Sequence, residues 1–258
     1  MHIVVALRLV PDLSGDIELT ADGADLDREW LDLKLNEFDD HALEEALLLK
    51  EQSGAKVTAI AIAADGVDKT LQIALARGAD AAFKIAADSD RGLPSRASAP
   101  LFAAALRELG ADLFFTGVQT PEDLFGHLAP FVGAQLGWPS LNAVSKVRFD
   151  GADVLAQQEY SGGAAATFRV AAPVALGVQT ASRPIRYVAG SQLRQFAATK
   201  IETRNVSANI RSALAERLAL RRPSRAGSAT MIEGDAESVA GQLRALLIER
   251  GLIKEIPA

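Results

Sequence analysis

The chain of 258 residues contains no cysteine. That excludes disulfides, thiolate zinc sites, cysteine-held iron–sulfur clusters and a cysteine nucleophile, and it is consistent with a reducing compartment. Histidine is scarce: His2, His41 and His127 are too few and too scattered to outline a metal site. There is no basic excess. The net charge is −6, so no general attraction for nucleic acid is expected. No stretch approaches the roughly 20 uninterrupted apolar residues of a membrane helix, and the most apolar segment, 164–178, is broken by Arg169 and Pro173. The opening MHIVVALRLVPD lacks a leading basic region and carries Arg8 inside its apolar run, so it reads as a strand and not a secretory signal. A cytoplasmic protein without membrane insertion is expected. Internal repeats, low-complexity tracts, GxGxxG and Walker A loops, a GxSxG elbow, an HExxH helix and a Ser–His–Asp arrangement are all missing. No catalytic residue and no metal ligand is therefore assigned.

What is present has the balance of a globular protein: 49% hydrophobic and 23% charged residues, in a chain long enough to bury a core unaided. Ile3 to Val10 is a β-branched run ended by Pro11-Asp12; Val57 to Ile62, Ala82 to Ile85 and Asp112 to Thr116 are further strands. Between them, Asp39 to Gln52 sets Ala42, Leu43, Ala46, Leu47 and Leu49 on one helical face before Gly54. Val67 to Arg77 stops at Gly78, Pro100 to Leu109 at Gly110, and another helix is expected from about Gly126 to Leu136. This alternation predicts an α/β fold, a doubly wound and mostly parallel sheet with helices on both faces. Val144 to Phe149, Val154 to Tyr160 and Ala166 to Val170 then read as a small antiparallel meander, and Val174 to Gln179 as a strand returning to the main sheet. After Arg183-Pro184 the pattern fades: 184–210 reads as extended, 221–235 as a linker and 236–250 as an amphipathic helix. The expected division is an α/β domain, residues 1–183, and a C-terminal arm, 184–258, which either wraps a partner or is simply flexible.

In an open parallel sheet, ligands bind at the carboxyl ends of the strands where strand order reverses. Val10 to Leu13, Asn36 to Asp39, the loop after Ile62 and Thr116 to Leu128 fall there. In TGVQTPEDLFGHLAP the chain leaves a strand through Gly117, turns at Pro121 and enters a helix near Gly126. The amides of Gly126, His127 and Leu128 would face the strand ends with the helix dipole behind them, an arrangement that suits a phosphate and equally a plain helix cap. His127 could donate to a phosphate or satisfy the helix terminus. Phe38 could pack on a planar ring or act as a hydrophobic staple. Glu122 and Asp123 oppose an anion unless they turn outward. Asp39, Asp40, Glu44 and Glu45 read as first-turn residues and a solvated helix face.

LNEFDDHALEEALLLKE at 35–51, ALARGAD at 74–80, TGVQ followed by GAQLGWPS within 116–140, PIRYVAGSQLRQFAATKIE at 184–202 and GLI at 251–253 together resemble the β subunit of electron transfer flavoproteins. The resemblance implies an adenine-nucleotide α-hydrolase-like sheet paired with an α subunit that carries most of the FAD site. It implies AMP, or a second FAD, in the β subunit's own site, and a flavin dehydrogenase as electron donor. By matching positions, Ala6, Asn36, Glu37, Phe38, Asp39, Ile62, Gly117, Val118, Gln119, Glu122, Asp123, Gly126, His127 and Leu128 would line the nucleotide pocket, with Phe38 beside the flavin. Two departures stand out. The family's loop runs aspartate-glycine-aspartate-threonine-glycine-glutamine, whereas this chain has Glu122-Asp123-Leu124-Phe125-Gly126-His127, losing an acid and a hydroxyl. Gly190 replaces a leucine in the loop that meets acyl-CoA dehydrogenases. The expected function is an electron-carrier subunit working between a dehydrogenase and a quinone reductase or other acceptor. The alternative is a nucleotide-binding assembly module that has kept the fold and lost electron transfer.

Overall fold

Alternation within single strands decides the architecture. In β1 (His2–Ala6), Ile3 and Val5 pack into one hydrophobic cluster and Val4 and Ala6 into another, so the strand is buried on both faces. The structure, a computed structural model, describes residues 1–15, 17–29, 31–87, 93–123, 126–208, 219–221, 229 and 231–254. One cluster lies under α1 (Glu37–Ser53) and α2 (Val67–Arg77), through Leu43, Leu47 and Leu71. The other lies under α3 (Ser95–Leu109) and α4 (Leu128–Leu136), through Phe102, Leu106 and Val132. Helices thus cover both faces, as the strand–helix alternation predicts.

The sheet has nine strands. Three follow the expected runs closely, β4 (Lys56–Ile62), β5 (Ala81–Ile85) and β6 (Leu113–Gly117), and β1 takes the first part of its run. The meander is β7 (Ser140–Asp150), β8 (Asp153–Glu159) and β9 (Ala165–Ala171), followed by the returning β10 (Val174–Val178). With β11 (Glu202–Arg204), the spatial order is β11-β5-β4-β1-β6-β10-β7-β8-β9. Pairing is parallel from β11 to β7 and antiparallel only across β7-β8-β9. The chain builds outward from β1 through β4 to β5, then crosses back to lay β6 on the other side of β1. The reversal therefore falls between β1 and β6.

Three segments differ from the sequence expectation. The first run splits into β1 and β2 (Leu9–Pro11), and β2 pairs antiparallel with β3 (Leu33–Leu35) in a separate two-stranded sheet. The split falls at Arg8, whose N–H donates to Asp39 Oδ2 at 2.9 Å. Helix α3 begins five residues before Pro100, which is buried inside it. Burial of Ala97, Leu101, Phe102 and Leu106 outweighs the roughly 3 kcal/mol cost of an interior proline. The segment after Pro184 is not extended throughout. It forms α5 (Gly190–Phe196) and then β11, which extends the main sheet beside β5. Arg204 reinforces that edge by lying over the Phe83 ring, 4.2 Å from its centroid.

By compactness the chain divides into residues 1–218 and 219–258. The second unit carries α6 (Ala236–Glu249), matching the expected amphipathic helix, with Asp235 capping it by accepting from the Ser238 N–H at 2.9 Å. Leu243, Leu246 and Leu247 on α6 are exposed. The expected linker 221–235 lies largely outside the described residues, as does Leu218.

Candidate functional site

At the reversal, the start of α1 is held against the end of β6 by one residue. Asp39 is fully buried and ionically paired to Arg8 at 2.7 Å. Its carboxylate accepts from Arg8 Nε and backbone N–H at 2.9 Å each, from Gly117 N–H at 2.6 Å and from the Thr116 hydroxyl at 3.3 Å. Arg8 also donates to the Gly117 carbonyl at 2.9 Å. One side chain of each sign thus ties the ends of β1 and β6 to the first turn of α1, and the pair is neutral as a whole. The signal for Arg8 was its position inside an apolar run, where a cation persists only with a buried partner.

Close approach explains why position 117 is glycine. A Cβ there would sit 2.5 Å from Phe38 Cβ and 2.6 Å from Asp39 N. The helix start and the strand end are therefore in direct backbone contact. Asn36 completes the join, donating from Nδ2 to the Gln119 carbonyl at 2.9 Å while its own N–H donates to the Arg8 carbonyl at 2.9 Å.

The loop after β6 resolves the question of its acids. Glu122 pairs with Arg28 at 2.6 Å, and Asp123 Oδ2 accepts the N–H of Ser95 at 2.8 Å, acting as a remote cap for α3. Both charges are spent on neighbouring elements. Gly126 is buried in a left-handed conformation (φ +53°), its Cα packed on the Val118 carbonyl and on Gln119 so closely that no Cβ fits. Its N–H donates to the Asp123 carbonyl at 3.1 Å, so the expectation of three available amides at 126–128 is corrected: one closes the turn. His127 is the exposed N-cap of α4, its ring 6.0 Å from that of Phe131 and edge-on to it, and Leu128 is buried. Leu124 and Phe125, where the loop departs most from the family pattern, lie outside the described residues.

The structure brings Asn36, Phe38, Asp39, Gly117, Val118, Gln119 and Gly126 together. Ala6 ends β1 with its methyl in the core, Ile62 ends β4 one strand away, and Glu37 is exposed. Three residues invisible to motif reading belong to the site's frame: Arg8, Arg28 and Asn142. The last donates from Nδ2 to the Gly126 carbonyl at 3.0 Å.

The solvated face expected of α1 is also corrected. Glu44 and Glu45 are buried along with Asp39. Glu45 accepts Val147 N–H at 2.6 Å and Ser182 N–H at 2.7 Å. Glu44 receives the Arg186 guanidinium (Nε at 3.0 Å) and its backbone N–H at 3.1 Å. Hydrogen bonding to Glu44, reinforced by Glu51, holds the Arg186 pKa above its ordinary value against the opposing effect of burial. Asp40 is paired with Arg77. Each carboxylate has partners far away in sequence, which helical periodicity cannot reveal.

Backbone gathered at a strand-order reversal beside a helix start, with Asp39, Glu122 and Asp123 each held by a partner, has donor chemistry that suits an adenine nucleotide. Its phosphate would meet α4's first amides, and its rings the apolar Phe38 and Val118. Among the described residues, no cluster of acids and histidines could hold a metal ion, and no helix is long and apolar enough to cross a membrane. The electron transfer flavoprotein domain family matches residues 25–209. The electron transfer flavoprotein subunit beta of Methylophilus methylotrophus is 29% identical over 261 residues, covering 96% of this chain and 98% of that one. The subunit of the same name from Clostridium acetobutylicum is 34% identical over 151 residues, 58% of each chain. Protein FixA of Azorhizobium caulinodans is 32% identical over 152 residues, 57% of this chain and 54% of that one. The chain thus belongs to the electron transfer flavoprotein β-subunit family.

Proposed function

We propose that this chain is the β subunit of a heterodimeric electron carrier that takes electrons from a flavin dehydrogenase and delivers them to a quinone reductase or another acceptor. The observation that carries this reading is the similarity to a named β subunit along 96% of the chain. When bound, FAD, held mainly by the α partner, supplies the redox chemistry. This chain's residues bind, orient and dock. Asn36, Phe38 and Gly117 to Leu128 hold AMP, or a second FAD, at the strand reversal, with Ala6, Glu37, Asp39 and Ile62 around it. Residues 184–258 serve as an arm on the α subunit. Exposed Tyr187, Leu193, Leu243, Leu246, Leu247, Leu252 and Ile253 supply the apolar surface such an arm needs. A permanent pair of this kind buries roughly 2,000 Å² or more.

The test is co-expression with an α subunit, followed by gel filtration and a visible spectrum. Co-elution with a bound flavin is expected; separate species at micromolar concentration overturn the pairing. Two observations favour the second reading, an assembly module without electron transfer. Phe125 stands where the family has a hydroxyl, and Gly190 opens α5 without a side chain to anchor a dehydrogenase. Its φ is not positive and a Cβ there would meet only Arg194 Nη1, at 3.6 Å, so the backbone does not demand glycine. A pair that assembles and binds AMP but is not reduced by any dehydrogenase would establish that reading.

A further inference from the structure

Asn142 lies in an irregular part of β7. The register between β7 and β10 shifts between Leu176 and Val178, and the next residue, Ala143, has a left-handed backbone (φ +55°), the sole non-glycine with positive φ among the described residues. The Asn142 side chain lies flat on Gly177, so tightly that any Cβ at 177 would collide with Oδ1. From there Nδ2 reaches the carbonyl of Gly126, while Oδ1 is buried with no hydrogen-bond partner. An unpartnered buried acceptor and a left-handed alanine are both unfavourable, and they occur side by side. A plain strand with an apolar residue at 142 would avoid both. What the arrangement provides is a single donor, aimed at the turn from which α4 starts.

We propose that Asn142 is a positioning residue for the nucleotide site: it fixes the Gly126 carbonyl, and through it the orientation of the first turn of α4 toward the strand ends. The proposal rests on the reading of that strand reversal as a nucleotide site. Gly177 is part of the same device, because only a residue without a Cβ lets the carboxamide lie where it does. A β-bulge used to re-aim one side chain toward a site is a known structural role, and here the re-aimed group is a donor for a buried loop carbonyl.

The test uses the full chain with AMP as probe, comparing wild type with Asn142→Ala, Asn142→Asp and Gly177→Ala. Asn142→Asp keeps the size and removes the donor; Gly177→Ala displaces the carboxamide without touching position 142. Two quantities are read: AMP affinity by calorimetry, and hydrogen–deuterium exchange of the 126–131 amides without nucleotide. Faster exchange confined to this segment is expected in all three variants. AMP affinity should fall about tenfold or more in all three variants. A purely structural contact predicts the reverse, a lower melting temperature with unchanged AMP affinity, and would overturn the proposal. Unchanged exchange would overturn it as well. Wild type that binds neither AMP nor FAD would instead overturn the nucleotide reading, a failure told apart from the others because the exchange readout needs no ligand.

Discussion

At the residue scale, the molecule relies on buried charges held by distant partners. Asp39 offers the sharpest case, since its carboxylate serves Arg8, Thr116 and Gly117 at once. Removing one partner of a buried pair costs about 3–5 kcal/mol, because the other charge is left uncompensated. Asp39→Ala should therefore lower the urea midpoint strongly, and Arg8→Ala, which leaves the two main-chain and hydroxyl donors in place, should cost less. Equal losses would mean that the ion pair, and not the strand-end contact, dominates. His2 carries a second expectation, for pH. Its Nδ1 lies 3.3 Å from the Leu109 carbonyl, to which it donates, and its Nε2 lies 2.8 Å from the Thr58 hydroxyl. Burial lowers its pKa from 6.5, outweighing the Leu109 contact that raises it. A folded-state value below the unfolded one means that the unfolded chain takes up the proton first. The contribution is thus complete above pH 6.5 and is lost as pH falls through the lowered value. Melting temperature should decline from pH 7.5 to 5.5 in wild type and less steeply in His2→Asn; parallel slopes would refute the assignment.

At the element scale, α1 is the hub. Its first turn packs on the end of β6, and one to two turns later His41, Glu44 and Glu45 grip residues 181–186, the point where the chain leaves the parallel sheet for α5. Ala181 N–H donates to His41 Nδ1 at 3.3 Å. Glu44→Ala should free this exit. Each 1.4 kcal/mol of lost restraint raises the open population tenfold, so trypsin should cut after Arg186 at least about tenfold faster, with cutting elsewhere unchanged. Uniform acceleration would point to global destabilisation. The helix itself was legible from sequence, because Ala42, Leu43, Ala46 and Leu47 recur at helical spacing, and so were β4, α2 and β6. The grip was not. Glu44 and Glu45 look identical to solvated acids until Ser182 and Arg186, some 140 positions later, are folded against them. The candidate site shows the same division. Gly117 and Gly126 were legible as the points where the chain leaves a strand and enters a helix, whereas the close packing of both glycines, and the parts of Arg28, Ser95 and Asn142, arise from tertiary contacts that leave no local pattern. β11 escaped notice for a related reason: three residues carry too little periodicity to mark a strand, and its neighbour β5 alone defines it.

At the scale of the whole molecule, the reading of an adenine-nucleotide site makes a thermal prediction. A ligand that binds only the folded state at about 100 times its dissociation constant adds about 2.7 kcal/mol. For a domain of this size each kcal/mol moves the melting temperature by about 2–4 °C. AMP at that excess should therefore raise it by about 5–11 °C, provided purified protein is first freed of nucleotide by mild denaturation and refolding. No shift at millimolar AMP, in a chain shown by acid extraction to be empty, would count against the site.

The neutrality of the Arg8–Asp39 pair has a consequence for salt. Screening weakens attraction between exposed charges steeply, the Debye length falling from about 10 Å at 0.1 M to about 3 Å at 1 M. A phosphate held by a lysine or arginine cluster feels that loss. A phosphate held by amide dipoles at a helix start, beside a cation already neutralised by its own aspartate, has little monopole attraction to lose. Nucleotide affinity in this chain should then be nearly flat across that range of salt, while association with a charged electron-transfer partner weakens over the same range. If the proposed function holds, high salt would separate the two events, weakening the association with a redox partner while a nucleotide stays bound.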